Sequence, residues 1–182
     1  MKLSMLSILL GLGLGSMQAY GLMKPAAFAA AARKFPRSLP WGYALMLLGT
    51  VWFLWCLDQE AASDFLAYKQ YLFVGFACVG VGTCFFVKDF LAVRGLAVVF
   101  MLLAKLMVDT ARWVDTEWRL VIVVWAYVLV LAGIWFTVSP WRLRDLLAWA
   151  TASEKRVKIG CAVRLAFAAL VVILGVTVFR GV

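Results

Sequence analysis

Six long runs of apolar residues, separated by short polar segments, constrain the fold of this chain more than any other feature. Each run is close to the roughly 20 residues that an α-helix needs to cross the hydrocarbon core of a bilayer. Each must be helical, because lipid offers no hydrogen-bonding partner to an open backbone amide. The six predicted spans are residues 3–23, 41–57, 71–87, 90–108, 120–138 and 159–179.

The composition agrees with a membrane location. Of the 182 residues, 66% are hydrophobic, whereas an average soluble domain has roughly 45–50% apolar residues. No segment outside the apolar runs is long enough to build a core of its own. We therefore predict an all-α integral membrane protein, a six-transmembrane-helix bundle made of three helical hairpins, with one membrane domain over residues 1–182.

The first run shares some features with a secretory signal, because Lys2 precedes a stretch that is rich in leucine and glycine. Against cleavage, Met17 would stand three residues before the cut, where a small residue is preferred. We interpret residues 3–23 as a retained first span.

Lys and Arg are unequally distributed over the connections between the spans. If the N-terminus lies outside, eleven of them fall on the inner side and five on the outer side. Because cytoplasmic loops collect positive charge, this asymmetry predicts that both termini are extracytoplasmic. The expected location is a bacterial inner membrane. The eleven inner residues are Lys24, Arg33, Lys34, Arg37, Lys88, Arg94, Arg142, Arg144, Lys155, Arg156 and Lys158.

Two connections on the predicted cytoplasmic side share a plan, and we call residues 25–37 and 140–152 the ledge segments. Each opens with a proline, Pro25 or Pro140, which costs no hydrogen bond at a first helical turn, and each leads to a basic cluster. In the second segment Leu143, Leu146, Leu147 and Ala150 fall on one helical face. The pattern predicts one or two short amphipathic helices lying in the membrane interface. Duplication and convergence both explain the shared plan.

The strongest candidate site is a charged patch near the end of the fourth span. Lys105 and Asp109 are four residues apart, so they share one helix face and can pair, and Arg112 follows within reach of Asp109. In one interpretation the patch faces a cavity and binds a substrate, ion or proton. In the other it is an ion pair at the outer end of the span, where the lysine stem lies along apolar surface.

Two further sets of residues are candidates for weaker sites. Arginines near the predicted cytoplasmic interface can reach lipid phosphate, although general snorkelling explains the same positions: Arg94, Arg142, Arg144 and Arg164. Small residues on the first and third spans allow close helix packing, either inside the chain or with a second copy: Gly11, Gly15, Gly75, Gly80 and Gly82.

The chain contains no histidine, and its four cysteines form no CxxC pair. We therefore predict no catalytic residues, no metal site and no cofactor. The first functional hypothesis is a non-enzymatic membrane subunit or accessory scaffold that works through helix packing and basic ledge segments. Its expected partners are anionic lipids and a membrane protein or a second copy of the chain, not nucleic acid. The alternatives are a small transporter or channel that uses the charged patch and, last, a membrane enzyme acting on lipid or quinone.

Overall fold

The computed structural model describes residues 2–59 and 68–181, and regular structure in these residues is helical throughout. Short 3-10 turns follow α2 and α8, at Phe35–Arg37 and Phe179–Gly181. The eight α-helices in the described residues are α1 (Leu3–Met23), α2 (Pro25–Lys34), α3 (Leu39–Gln59), α4 (Lys69–Phe86), α5 (Leu91–Ala111), α6 (Arg119–Val138), α7 (Trp141–Ala150) and α8 (Glu154–Val176).

Six of these helices, α1, α3, α4, α5, α6 and α8, are long and apolar enough to cross a membrane, which confirms the predicted number of such helices. The largest difference in bounds is at α8, which begins at Glu154 and not at residue 159. Ser153 explains the earlier start, because its side-chain oxygen accepts a hydrogen bond from the Arg156 backbone N–H at 3.3 Å and so caps the helix. The apolar run marks the part of a helix that suits lipid, not the whole helix.

The ledge segments contain the two short helices, α2 and α7, each of ten residues. Pro25 is the first residue of α2, and Pro140 immediately precedes α7. On α7 the apolar face is partly turned inward. Leu143 and Leu147 are half-buried, whereas Leu146 is 40% exposed.

The chain forms two compact units. Unit 1 comprises Met1–Lys34, Leu103–Leu131 and Arg144–Val182. Its most extensive helix contact is between α1 and α8, which run antiparallel. Its apolar core consists of Leu3, Leu6, Ala104, Met107, Ala111, Val114, Ile122, Ala126, Val171, Leu174 and Phe179.

The antiparallel direction of α1 and α8 follows from two close contacts. A Cβ added at Gly11 would lie 2.9 Å from the Ala168 carbonyl oxygen, and one at Gly21 would lie 2.6 Å from Cys161 Sγ. Later residues of α1 therefore meet earlier residues of α8. Small residues allow the two backbones to approach closely, as helices in lipid require.

Unit 2 comprises Phe35–Leu102 and Ala132–Leu143. In it α3 packs against α4, and Met46, Cys84 and Leu91 form one buried cluster. The connection from α4 to α5 is a tight turn. Phe90 in this turn has φ 55°, and its carbonyl accepts the Arg94 backbone N–H at 3.1 Å.

Candidate functional site

Two residues of the predicted charged patch form an ion pair. Lys105 Nζ lies 2.8 Å from Asp109 Oδ2, at the i, i+4 spacing of α5. The side chains are 48% and 55% exposed, so the pair lies on the surface of unit 1. Asp109 belongs to the last turn of α5, which extends to Ala111 and so carries the carboxylate at its end. An exposed pair of this kind contributes little to stability.

Arg112, the third residue of the patch, stacks on its neighbour. Its guanidinium carbon lies 5.9 Å from the centre of the Trp113 ring. Arg119, whose role the sequence pattern does not indicate, donates from Nη1 to the carbonyl oxygens of Val114 at 2.9 Å and Arg112 at 3.3 Å. Arg119 thus satisfies carbonyls that follow the end of α5, and its cation suits the negative end of that helix.

Two shallow cavities are present in the described part of the chain. One, of about 250 Å³, is lined by residues of the α5–α6 connection and the start of α6: Asp115, Thr116, Glu117, Arg119 and Leu120. The other, of about 550 Å³, is lined by α3 and α4 of unit 2: Val51, Leu54, Trp55, Asp58 and Phe73. Asp58 at this second cavity already pairs with Lys69, the carboxylate oxygen lying 3.2 Å from Nζ. Neither Lys105 nor Asp109 lines either cavity.

The four candidate lipid-binding arginines have different surroundings. Arg144 pairs with Asp145, its Nη2 lying 2.9 Å from the carboxylate. Arg142 and Arg164 are exposed, whereas Arg94 is partly buried, with no partner for Nε among the described residues. Arg144 and Arg164 belong to unit 1, and Arg94 and Arg142 belong to unit 2.

A hydrogen-bonded joint connects the two ledge segments within unit 1. Arg33 of α2 donates from Nε to Thr151 Oγ1 at 2.8 Å, and its Nη2 donates to the Thr151 carbonyl oxygen. Thr151 follows the last residue of α7 and is 6% exposed. Because a cation beside the final carbonyls of a helix favours its dipole, Arg33 fixes the end of α7. The sequence pattern does not indicate this contact, because its partners are 118 residues apart.

Arg156, in the first turn of α8, stacks on a tryptophan of α7. Its guanidinium carbon lies 5.4 Å from the centre of the Trp149 ring, and its Nη1 donates to the Trp149 carbonyl oxygen at 3.4 Å. Trp149 is 67% exposed. Together with the joint, this pair defines a surface of unit 1 that we call the basic junction: Arg33, Lys34, Trp149, Thr151, Lys155, Arg156 and Lys158.

The candidate packing glycines fall into two groups. Gly11 and Gly80 are in close contact with neighbouring helices, Gly11 with α8 and Gly80 with Thr50 of α3. Gly15 is in ordinary van der Waals contact with α8, since a Cβ there would lie 3.6 Å from that of Ala168. A Cβ at Gly75 or Gly82 would meet open space or a single ring atom at 4.0 Å, in the part of α4 that the structure describes.

The cysteines are free thiols. Among residues 2–59 and 68–181, no three His, Cys, Asp or Glu side chains come together as potential metal ligands. Comparison with known proteins finds no matching family model, no matching curated protein and no matching solved structure. The class that the six long apolar helices support is a multi-pass membrane protein.

Proposed function

We propose that this chain is a non-enzymatic multi-pass membrane protein that acts as a subunit or accessory scaffold. It works through helix packing and through basic ledge segments that contact anionic groups at the membrane surface. The observation that carries the proposal is the joint between Arg33 and Thr151, with a donor–acceptor distance of 2.8 Å. The joint holds Arg33 and Lys34 of the first ledge segment at the end of α7, which the basic first turns of α8 closely follow in sequence. A fixed group of cations attracts anionic partners.

Helix packing in unit 1 supports the scaffold role. The close contacts of Gly11 and Gly21 with α8 make α1 and α8 one firmly packed pair. The basic junction lies where this pair meets α2, because α2 contacts both α1 and α8, and Arg33 of α2 bonds to Thr151 just beyond the end of α7. A charged surface supported by a well-packed helix pair suits the docking of a partner. The side chains of such a surface need little further ordering on binding.

The proposal includes a membrane orientation and a finer arrangement of the spans. The ledge segments lie in the cytoplasmic interface as amphipathic helices, both termini are extracytoplasmic, the spans form three hairpins, and the membrane is a bacterial inner membrane. The unequal distribution of Lys and Arg, eleven against five, supports this orientation. Exposed Trp141 and Trp149 on α7 support an interfacial position, because indole rings favour the headgroup level.

The test is purification from native membranes in a mild detergent, followed by quantitative mass spectrometry of the proteins that accompany the chain. We expect a partner protein, or a second copy, at fixed stoichiometry. Labelling of a Lys155→Cys variant by an impermeant maleimide, with the four native cysteines replaced, should occur only after the membrane is permeabilised.

The contrary result is specific. A chain that purifies alone as a monomer and carries ions across liposomes, with flux that Asp109→Asn abolishes, would overturn the scaffold proposal in favour of transport. The matched control is Asp145→Asn, which also removes an exposed, ion-paired carboxylate but at α7.

A further inference from the structure

The break between α7 and α8 is held at both ends. On the α7 side, Thr151 receives two hydrogen bonds from Arg33, and its own hydroxyl donates to the Leu147 carbonyl oxygen at 2.6 Å. On the α8 side, Ser153 Oγ accepts from the Arg156 backbone N–H at 3.3 Å. A segment fixed in this way presents its side chains in one arrangement, which lowers the ordering cost of binding.

Arg156 is the side chain of the basic junction that is best arranged for phosphate. Stacking on Trp149, at 5.4 Å from the ring centre, fixes the plane of its guanidinium group. The hydrogen bond to the Trp149 carbonyl uses one of its five N–H donors and is long, at 3.4 Å. The other donors form the planar fork that binds two oxygens of a phosphate.

Arg156 belongs to a part of unit 1 in which α2, α7 and α8 all contribute basic side chains. Residues 33–34, 144–151 and 153–158 contain six cations and two acids. Of the acids, Asp145 is paired with Arg144 at 2.9 Å, and Glu154 lies in the first turn of α8, where a carboxylate favours the helix dipole. The excess of positive charge complements an anionic membrane surface. The six cations are Arg33, Lys34, Arg144, Lys155, Arg156 and Lys158.

We propose that the basic junction binds the headgroup of an anionic phospholipid, with the phosphate on Arg156 and the glycerol region beside Trp149. An exposed indole suits the boundary between headgroups and acyl chains. A zwitterionic headgroup would bring a cation of its own to a surface that already has an excess of cations. The inference rests on the proposed function, because it needs the basic junction to lie at the membrane surface, and it adds the lipid class and the phosphate-binding residue.

The test is native mass spectrometry of the purified full-length chain, with phosphatidylglycerol or phosphatidylcholine added at matched concentrations in mild detergent. We expect the wild-type chain to retain phosphatidylglycerol preferentially. Arg156→Gln should weaken its binding about tenfold, because charge-assisted hydrogen bonds to the phosphate are lost. Arg156→Lys keeps the charge but loses the planar fork, so the affinity of this variant for phosphatidylglycerol should lie between those of the wild type and Arg156→Gln.

The matched control is the double variant Lys2→Gln/Arg180→Gln, which removes two exposed cations of unit 1 beside the start of α1 and beyond the end of α8. Its phosphatidylglycerol binding should equal that of the wild type. Excess inorganic phosphate should not displace the lipid, and displacement would overturn the inference by showing a site for free anions. Circular dichroism confirms that each variant remains helical.

Failure of the inference differs from failure of the proposed function. If the wild type prefers phosphatidylglycerol and Arg156→Gln retains that preference, the site is wrong while lipid contact by the ledge segments stands. If the wild type shows no preference, both the site and the lipid contact are wrong. The stoichiometry of a protein partner, measured separately, still decides the subunit role.

Discussion

The α1–α8 pair of unit 1 and the α3–α4 pair of unit 2 use small residues differently. Between α1 and α8, a Cβ added at Gly11 would lie 2.5 Å from Val172 Cγ2. In α4, a Cβ at Gly80 would collide with the side chain of Thr50, whereas one at Gly75 would meet nothing within 4 Å among the described residues. The first pair includes glycines that bring two backbones together, although Gly13 of α1 has open space around it, whereas the glycines of α4 meet a side chain of α3 or open space.

The difference shows that a small residue produces a close helix contact only where the partner helix also allows its backbone to approach. In the α1–α8 pair the close approach is reciprocal, because each helix has a glycine that lies against the backbone of the other. A Cβ at Gly11 would lie 2.9 Å from the Ala168 carbonyl, and one at Gly175 would lie 3.1 Å from the Ser4 carbonyl. In α4 the close neighbour of Gly80 is a side chain. Reciprocal contacts distribute packing along the whole pair, which is how helices associate in lipid.

The largest effect on stability that we expect is at Gly11, and it tests the difference between the two helix pairs. Gly11→Leu should lower the free energy of unfolding by about 3 kcal/mol or more, because the new side chain would force α1 away from the backbone of α8. The measurement is a denaturant titration in mixed micelles. Gly13→Leu is the matched control, since a Cβ there has open space, and it should change stability little. Equal losses in the two variants would contradict the assignment of Gly11 to the α1–α8 contact.

The positions of the helices could be predicted from the sequence, because span length depends on consecutive residues. The fifth apolar run predicts a span over residues 120–138, and α6 is Arg119–Val138. The helix start at Glu154 was missed, because hydropathy does not register the cap that Ser153 provides. Local spacing also brings Lys105 and Asp109 within reach of each other, and the structure places them 2.8 Å apart.

The contacts between distant segments could not be predicted in the same way. Gly11 and Gly75 both lie in glycine-rich spans, and only the partner helix distinguishes their surroundings. Likewise, nothing near Arg33 in sequence indicates that its partner is Thr151, 118 residues later. The choice of partner depends on packing over the whole of unit 1, and a single sequence carries no local signal for it.

Two substitutions in α4, with smaller expected effects on stability, compare a glycine that contacts α3 with one that faces open space. Gly80→Ala should lower the free energy of unfolding by about 1 kcal/mol, because Thr50 is β-branched and cannot easily turn away from the new methyl group. Gly75→Ala should leave stability unchanged or raise it by about 0.5 kcal/mol, because alanine favours the helix over glycine. Titration in mixed micelles measures both.

The Thr50→Ala background provides the control for this pair, because it removes Oγ1 and Cγ2, the two Thr50 atoms nearest to the methyl group at residue 80, and leaves Cβ, which would lie 2.9 Å away. The loss caused by Gly80→Ala should become smaller there. A loss that persists in this background, or a matching loss at Gly75, would show that α4 packs over a wider face than the α3 contact.

The smallest expected effect concerns a buried hydroxyl in the α1–α8 pair. Ser7 is fully buried, and its Oγ has no hydrogen-bond partner among the described residues. Ser7→Ala should raise the free energy of unfolding by about 0.5 kcal/mol, because it removes an unsatisfied polar atom and leaves the small volume that the packing needs. Ser16→Ala is the control, since Ser16 Oγ donates to the Gly13 carbonyl at 3.0 Å on the exposed side of α1, and it should bring no gain. The melting temperatures of the two variants are compared in one detergent. A clear loss of stability in Ser7→Ala would mean that the hydroxyl contributes a hydrogen bond to the α1–α8 contact. The α1–α8 pair would then depend on polar bonding as well as on close packing.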